Sequence, residues 1–219
     1  MEQNNEMLDR MVGTQSKCCY PGTSVLINKA DIRDFDELES IDRLQTTYVL
    51  SKLYLEPIKG NFDIEHLKAI HKTLFNELYP FAGEFRYENI SKDGIPFCRP
   101  EIISIYLHSL LEQMKKESTK LKSEEELVHF LAYFYSEINL VHPFRDGNGR
   151  TLREFFREYV LELNKRIAFG HFELDFAQLT ETDKKVHLLG CIESARTGKL
   201  EYLEQFFGTC LTKSIQKEL

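Results

Sequence analysis

The sequence predicts an all-α fold, a helical bundle that carries one small β-hairpin. Three observations lead there. Apolar residues recur at three- and four-residue spacing through most of the chain. Capping residues and Pro or Gly stops punctuate those stretches. Only one segment combines alternating polarity with an Asp-Gly turn. With 219 residues, 42 % of them hydrophobic and 29 % charged, the chain is long enough to bury one substantial core.

Residues 1–19 are polar and aperiodic and are expected to form a flexible tail, with a single domain over 20–219. Residues 36–55 read as a long amphipathic helix through Leu38, Ile41, Leu44, Tyr48, Val49 and Leu53, ended by Pro57 and Gly60. Asp63 is the expected N-cap of the next helix, whose buried stripe is Leu67, Ile70, Leu74 and Phe75. His66 and His71 fall on that helix and are expected to face solvent rather than to act as ligands. Pro80 and Gly83 then break the pattern. Residues 84–90 alternate as a strand, 91–94 supply an Asp-Gly turn and 95–99 return, with Pro96 confining that strand to an edge.

A helix is expected over 100–115, opened by Pro100. Ser123 and Glu126 form a capping-box pattern into 127–139, which is apolar on most faces and belongs at the centre of the bundle. After a helix over 151–163, residues 166–176 read as a connector with aromatic anchors. Helices over 182–194 and 200–215 close the chain.

Chemistry concentrates between the central helix and the one after it, in His142-Pro-Phe-Arg-Asp-Gly-Asn-Gly-Arg150 followed by Arg153. Glycine permits left-handed backbone and close approach of a ligand to peptide N–H groups. A loop that runs into a helix N-terminus is an anion site, because unpaired N–H groups and the helix dipole both point at the ligand. Arg150 and Arg153 lie one turn apart at that end and add fixed charge. His142 offers a base near neutral pH and Asp146 a carboxylate for a hard cation. Each residue alone has a bland reading; together they suit a phosphorylated substrate.

The segment matches the signature H-x-F-x-[D/E]-G-N-G-R-x-x-R, and the chain resembles the Fic family. Two further stretches carry the resemblance: Phe81-Ala-Gly-Glu-Phe-Arg86 with Asn89-Ile-Ser-Lys92, and Ile138-Asn139 before His142-Pro-Phe144. It covers roughly 20–208, with a core at about 61–198. The resemblance implies a Fic-type bundle whose hairpin, the flap, lies over the active site. It implies transfer of AMP from ATP to a hydroxyl side chain of a target protein. In that reading His142 is the general base and Asp146 holds Mg²⁺. Gly147, Asn148 (with its side-chain amide) and Gly149 cradle phosphates, Arg150 and Arg153 neutralise the β- and γ-phosphates, and Phe144 points into the core. Arg145 has no assigned role. Ile90, Ser91, Lys92, Asp93, Gly94 and Ile95 form the target-docking flap, along whose edge a target segment adds as a strand.

Many relatives are held inactive by [S/T]-x-x-x-E-[G/N], whose Glu pairs with the second motif arginine. The chain has three incomplete copies, at 73–77, 197–201 and 214–218. The other implied partner is a small antitoxin protein supplying that helix in trans. Two alternatives stay open. One is Doc-like protein phosphorylation or another phosphoryl or nucleotidyl transfer, against which Gly149 argues because Doc-type motifs carry lysine there. The other is a catalytically silent interaction module.

A net charge of −7 argues against general nucleic-acid binding. No apolar run is long enough for a membrane span, and the N-terminus lacks signal-peptide features. The five cysteines are read as reduced thiols in a cytoplasmic protein. Oligomeric state stays open.

Overall fold

The computed structural model describes residues 16–213. Helix α1 (Phe35–Leu55) lies on α2 (Ile64–Phe75). A hairpin of β1 (Ser91–Lys92) and β2 (Ile95–Pro96) leads through a 3₁₀ turn (Pro100–Ile102) into α3 (Ile103–Ser118). Then come α4 (Glu124–Val141), α5 (Asn148–Leu163), β3 (Phe172–Leu174), α6 (Glu181–Thr197), α7 (Glu201–Cys210) and β4 (Leu211–Lys213). The all-α expectation with a small hairpin holds.

Helix α4 touches α3, α5, α6 and α7 and is the centre of the bundle. Leu127, Phe130, Leu131, Phe134, Tyr135, Ile138 and Val141 bury its faces. Against it packs α5, whose Leu152, Phe155, Phe156, Tyr159, Val160 and Leu163 are at most 1 % exposed. The helix starts follow their caps. Asp63 accepts from the His66 N–H at 2.9 Å, and Ser123 from that of Glu126 at 3.2 Å. The reciprocal bond of the expected capping box is displaced: the Glu126 carboxylate takes the Lys122 N–H instead, at 2.8 Å.

Several expectations are corrected. Helix α1 does form, but it buries Leu38, Asp42, Thr46 and Leu53, while Ile41, Leu44 and Tyr48 are exposed. The polar pair faces inward because it meets Arg150 of α5. His66 and His71, expected at the surface, are buried. The His66 ring accepts the Phe62 N–H and joins Glu158 at 2.8 Å, and Glu158 also takes the Ile58 N–H at 2.8 Å. Residues 211–213, expected to be helical, form β4 and pair antiparallel with β3, inside what read as a connector. Each strand has only three residues, too few for a periodic signal. Residues 84–90 form no strand.

Of the expected tail, Ser16, Cys18 and Cys19 are buried, and Ser16 donates to the Glu88 carboxylate at 2.7 Å. Residues 1–15, the rest of it, lie outside the described residues. All five cysteines are free thiols. Among the described residues no helix is long and apolar enough to cross a membrane.

Glu158 holds two buried donors on different segments, so Glu158→Ala should strip both. Its urea unfolding free energy should fall by about 3–5 kcal/mol, the cost typical of breaking a buried pair.

Candidate active site

Helix α4 ends at Val141, and His142 caps it in a left-handed conformation, φ +47°. Such a backbone is unfavourable for a residue with a side chain and persists only when its surroundings impose it. Arg86 is what imposes it here. Its guanidinium donates to the carbonyls of His142 (2.7 Å), Glu88 (2.7 Å), Val141 (3.1 Å) and Cys98, and its N–H donates to Pro143 at 2.9 Å. One buried side chain therefore ties both legs of the hairpin to the bend. That tether is also why 84–90 cannot pair as a strand.

The His142 ring stacks on Phe97 at 3.8 Å and 10°, and its Nδ1 lies 3.1 Å from the Asn139 carbonyl. A carbonyl only accepts, so Nδ1 carries the proton and Nε2 keeps its lone pair. Nε2 has no partner among the described residues. Burial, with the Arg86 and Lys92 charges nearby, pushes the imidazole down to about 3 and keeps it neutral at ordinary pH.

Phe144 is 1 % exposed, its ring stacked on His71 at 3.8 Å. Asn148 closes the turn: its side chain accepts the Phe144 N–H at 2.9 Å and donates to the Phe144 carbonyl at 2.8 Å. That commits the amide expected to meet a phosphate to holding the loop instead. The Asn148 backbone N–H, at the start of α5, is left without a side-chain cap. Gly147 starts α5 at φ +73°, and a Cβ there would meet the Phe75 ring at 2.4 Å. No side chain caps α5, so its first N–H groups remain open to an anion.

The two motif arginines differ. Arg150 lies over the Phe75 ring and donates to both Asp42 oxygens and to Thr46 at 3.2 Å, with the Asp146 carboxylate at 3.7 Å. Burial disfavours its charge, but Asp146 and Asp42 more than offset this and raise its pKa. Arg150 is thus already neutralised within the chain. Arg153 has no carboxylate within 4 Å among the described residues, and its charge is felt at the Tyr135 hydroxyl. Tyr135 in turn meets His187 at 2.8 Å. Lys92 of the hairpin is likewise without a carboxylate, and its charge is felt at His142 and His187. Arg145 faces Glu88 at 3.7 Å, away from the glycines.

Asp146 has its side chain 46 % exposed beside the glycine turn. No cluster of three or more acidic, His or Cys ligands exists among the described residues. A single accessible carboxylate next to uncapped helix N–H groups would fit Mg²⁺, which takes one or two carboxylates plus phosphate oxygens.

Of the hairpin residues, Ser91 and Lys92 pair with Pro96 and Ile95, and Asp93 and Gly94 turn at φ +52° and +75°. Ile90 is 5 % exposed and its carbonyl accepts the Phe97 N–H at 3.2 Å, whereas Lys92, Asp93 and Gly94 are exposed. With two residues per strand, the edge is shorter than expected. Neither Glu77 nor Glu201 pairs with Arg153, and residues 214–218 extend beyond the described residues. Sequence reasoning missed Arg86, His71, Asp42 and Thr46. Only Arg86 carried a signal, as the last residue of the Phe81–Arg86 stretch.

Gly147→Ala should combine φ strain with a clash against buried Phe75. A loss of about 1–3 kcal/mol in urea unfolding is expected, together with weakened nucleotide binding by calorimetry.

Residues 61–161 match the family model described as Fic/DOC family. The chain is 31 % identical over 172 residues to a probable protein adenylyltransferase, y4lH, of Sinorhizobium fredii, covering 78 % of this chain and 84 % of that one. It is 34 % identical over 162 residues to the protein adenylyltransferase VbhT of Bartonella schoenbuchensis, covering 74 % of this chain but only 34 % of that longer protein. The fold is similar to the crystal structure of the BepC protein of Bartonella tribocorum with bound AMPPNP. That match has a TM-score of 0.77 and 24 % identity, over 90 % of this chain and 97 % of that one. On the motif, the bundle and these likenesses, the chain belongs to the Fic/DOC family.

Proposed function

We propose that the chain is a protein adenylyltransferase, moving AMP from ATP to a hydroxyl side chain of a target protein. The observation that supports this most is the His142 tautomer. Its Nδ1–H is spent on Asn139, which leaves Nε2 as a free acceptor beside an uncapped helix N-terminus. The named activities of y4lH and VbhT, and the AMPPNP bound in BepC, point the same way.

In the reaction, the target hydroxyl gives its proton to His142 Nε2 while its oxygen attacks the α-phosphorus. The bond to the bridging oxygen breaks and pyrophosphate leaves. N–H groups at the start of α5 receive phosphate oxygens. Arg153, with no carboxylate partner among the described residues, is the arginine best placed to take phosphate charge. Arg150 serves mainly to fix α1 and Asp146. Asp146 would hold Mg²⁺, which when bound offsets phosphate charge. Lys92 adds a second cation from the hairpin, whose exposed turn at Asp93 and Gly94 would meet the target. A small inhibitory protein, if it supplies a carboxylate, would act at Arg153.

His142→Ala should lower labelling of protein by ATP about 10²–10⁴-fold, while ATP affinity by calorimetry changes little. If the wild-type chain labels nothing in a host lysate with Mg²⁺, the reading fails.

Arg153→Ala should raise the Kd for ATP more than Arg150→Ala does. Arg150→Ala should show its main loss in thermal stability, because it strands buried Asp42. Because the imidazole is neutral down to about pH 3, kcat/KM should show no acid limb from His142 between about pH 5 and 8.

A further inference from the structure

His71 of α2 is fully buried and takes no part in the chemistry proposed above, yet it makes three directed contacts. Its Nδ1 accepts the Gly83 N–H at 2.8 Å. Its Nε2 lies 3.0 Å from the Asp146 backbone carbonyl. Its ring stacks on Phe144, 3.8 Å away and 14° from parallel. A peptide N–H can only donate and a carbonyl can only accept. Both bonds therefore require one neutral tautomer, with the proton on Nε2. A ring protonated on both nitrogens would lose Gly83.

We propose that His71 is a positioning residue: through Nε2–H it holds the Asp146 carbonyl inward, so that the Asp146 carboxylate points outward and the following glycine turn opens toward phosphate. The inference rests on the adenylyltransferase reading and adds a residue to it. The carbonyl and the carboxylate of Asp146 leave the same Cα, so fixing one restricts the other. The carbonyl is held inside, while the carboxylate is 46 % exposed. The same ring supports Phe144, whose N–H and carbonyl Asn148 fixes, and lies 4.8 Å from Phe75, the ring beneath Gly147 and Arg150. Groups that support a metal ligand typically cost 10–100-fold in metal affinity or activity when removed.

Two variants separate the two ring nitrogens. Gln reaches as far as Nε2 and can still donate to Asp146, but cannot serve Gly83. Asn reaches only to Nδ1 and can still accept from Gly83, but cannot serve Asp146. Both should lose comparable thermal stability. The expected result is that His71→Asn lowers kcat about 10–100-fold and weakens ATP binding in Mg²⁺ but not in its absence, whereas His71→Gln stays within about fivefold of wild type. Equal losses in both variants, or losses that merely follow Tm, would overturn the proposal and leave His71 as packing. Should neither variant fold, ¹⁵N NMR of the wild-type imidazole decides: a proton on Nε2 supports the assignment and one on Nδ1 overturns it. If the wild-type chain labels no protein, the transfer reading falls while His71 is still judged by Mg²⁺-dependent ATP calorimetry and by the tautomer.

Discussion

A buried bend of backbone must have its peptide groups satisfied, and the turn between α4 and α5 meets that demand with side chains. Arg86 takes the carbonyls of Val141 and His142, His71 meets that of Asp146, and Asn148 takes both polar groups of Phe144. None of these three is free to do chemistry. Their work lets His142 adopt a left-handed backbone, lets Gly147 do the same, and leaves the start of α5 uncapped. The hairpin, the second helix and the motif thus form one polar framework around a loop of a few residues.

Charge is distributed around that framework with a clear division. Arg150 is matched inside the chain by Asp42 and Asp146, and Arg145 faces Glu88. Arg153 and Lys92 lack a carboxylate partner among the described residues. In a chain with a net charge of −7, positive charge from Arg86 and Lys92 is therefore felt at His142. An acidic protein can bind a polyanion if a few cations are left unmatched in one place.

The sequence made the scaffold legible where signals were local. The caps at Asp63 and Ser123, the Asp93-Gly94 turn and the apolar period of α5 each lie within a few residues, and the structure has all of them. What it hid was long-range. His71 meets Asp146 across 75 positions, His66 meets Glu158 across 92 and Arg150 meets Asp42 across 108. A buried polar residue on a helix looks like a surface residue until its partner is known, which is why both histidines were placed in solvent. The bonds of the Asn148 side chain to Phe144 were hidden for a related reason. The place of Asn148 between two glycines suggested a ligand group and gave no sign that the amide also ties down its own loop.

The orientation of α1 shows how far such a polar contact reaches. Ile41, Leu44 and Tyr48 lie at spacings that a greasy interior would welcome, and yet they stand in water. Rolling the helix to bury them would pull Asp42 and Thr46 off Arg150, and with them the hydroxyl of Tyr79 that bonds Asp42 at 2.9 Å. The rotational setting of this helix therefore answers to the Arg150 guanidinium as well as to the buried Leu38 and Leu53. The outer side of α1 is thus free to become more polar, whereas the inner side must keep both its leucines and the carboxylate that Arg150 and Tyr79 share.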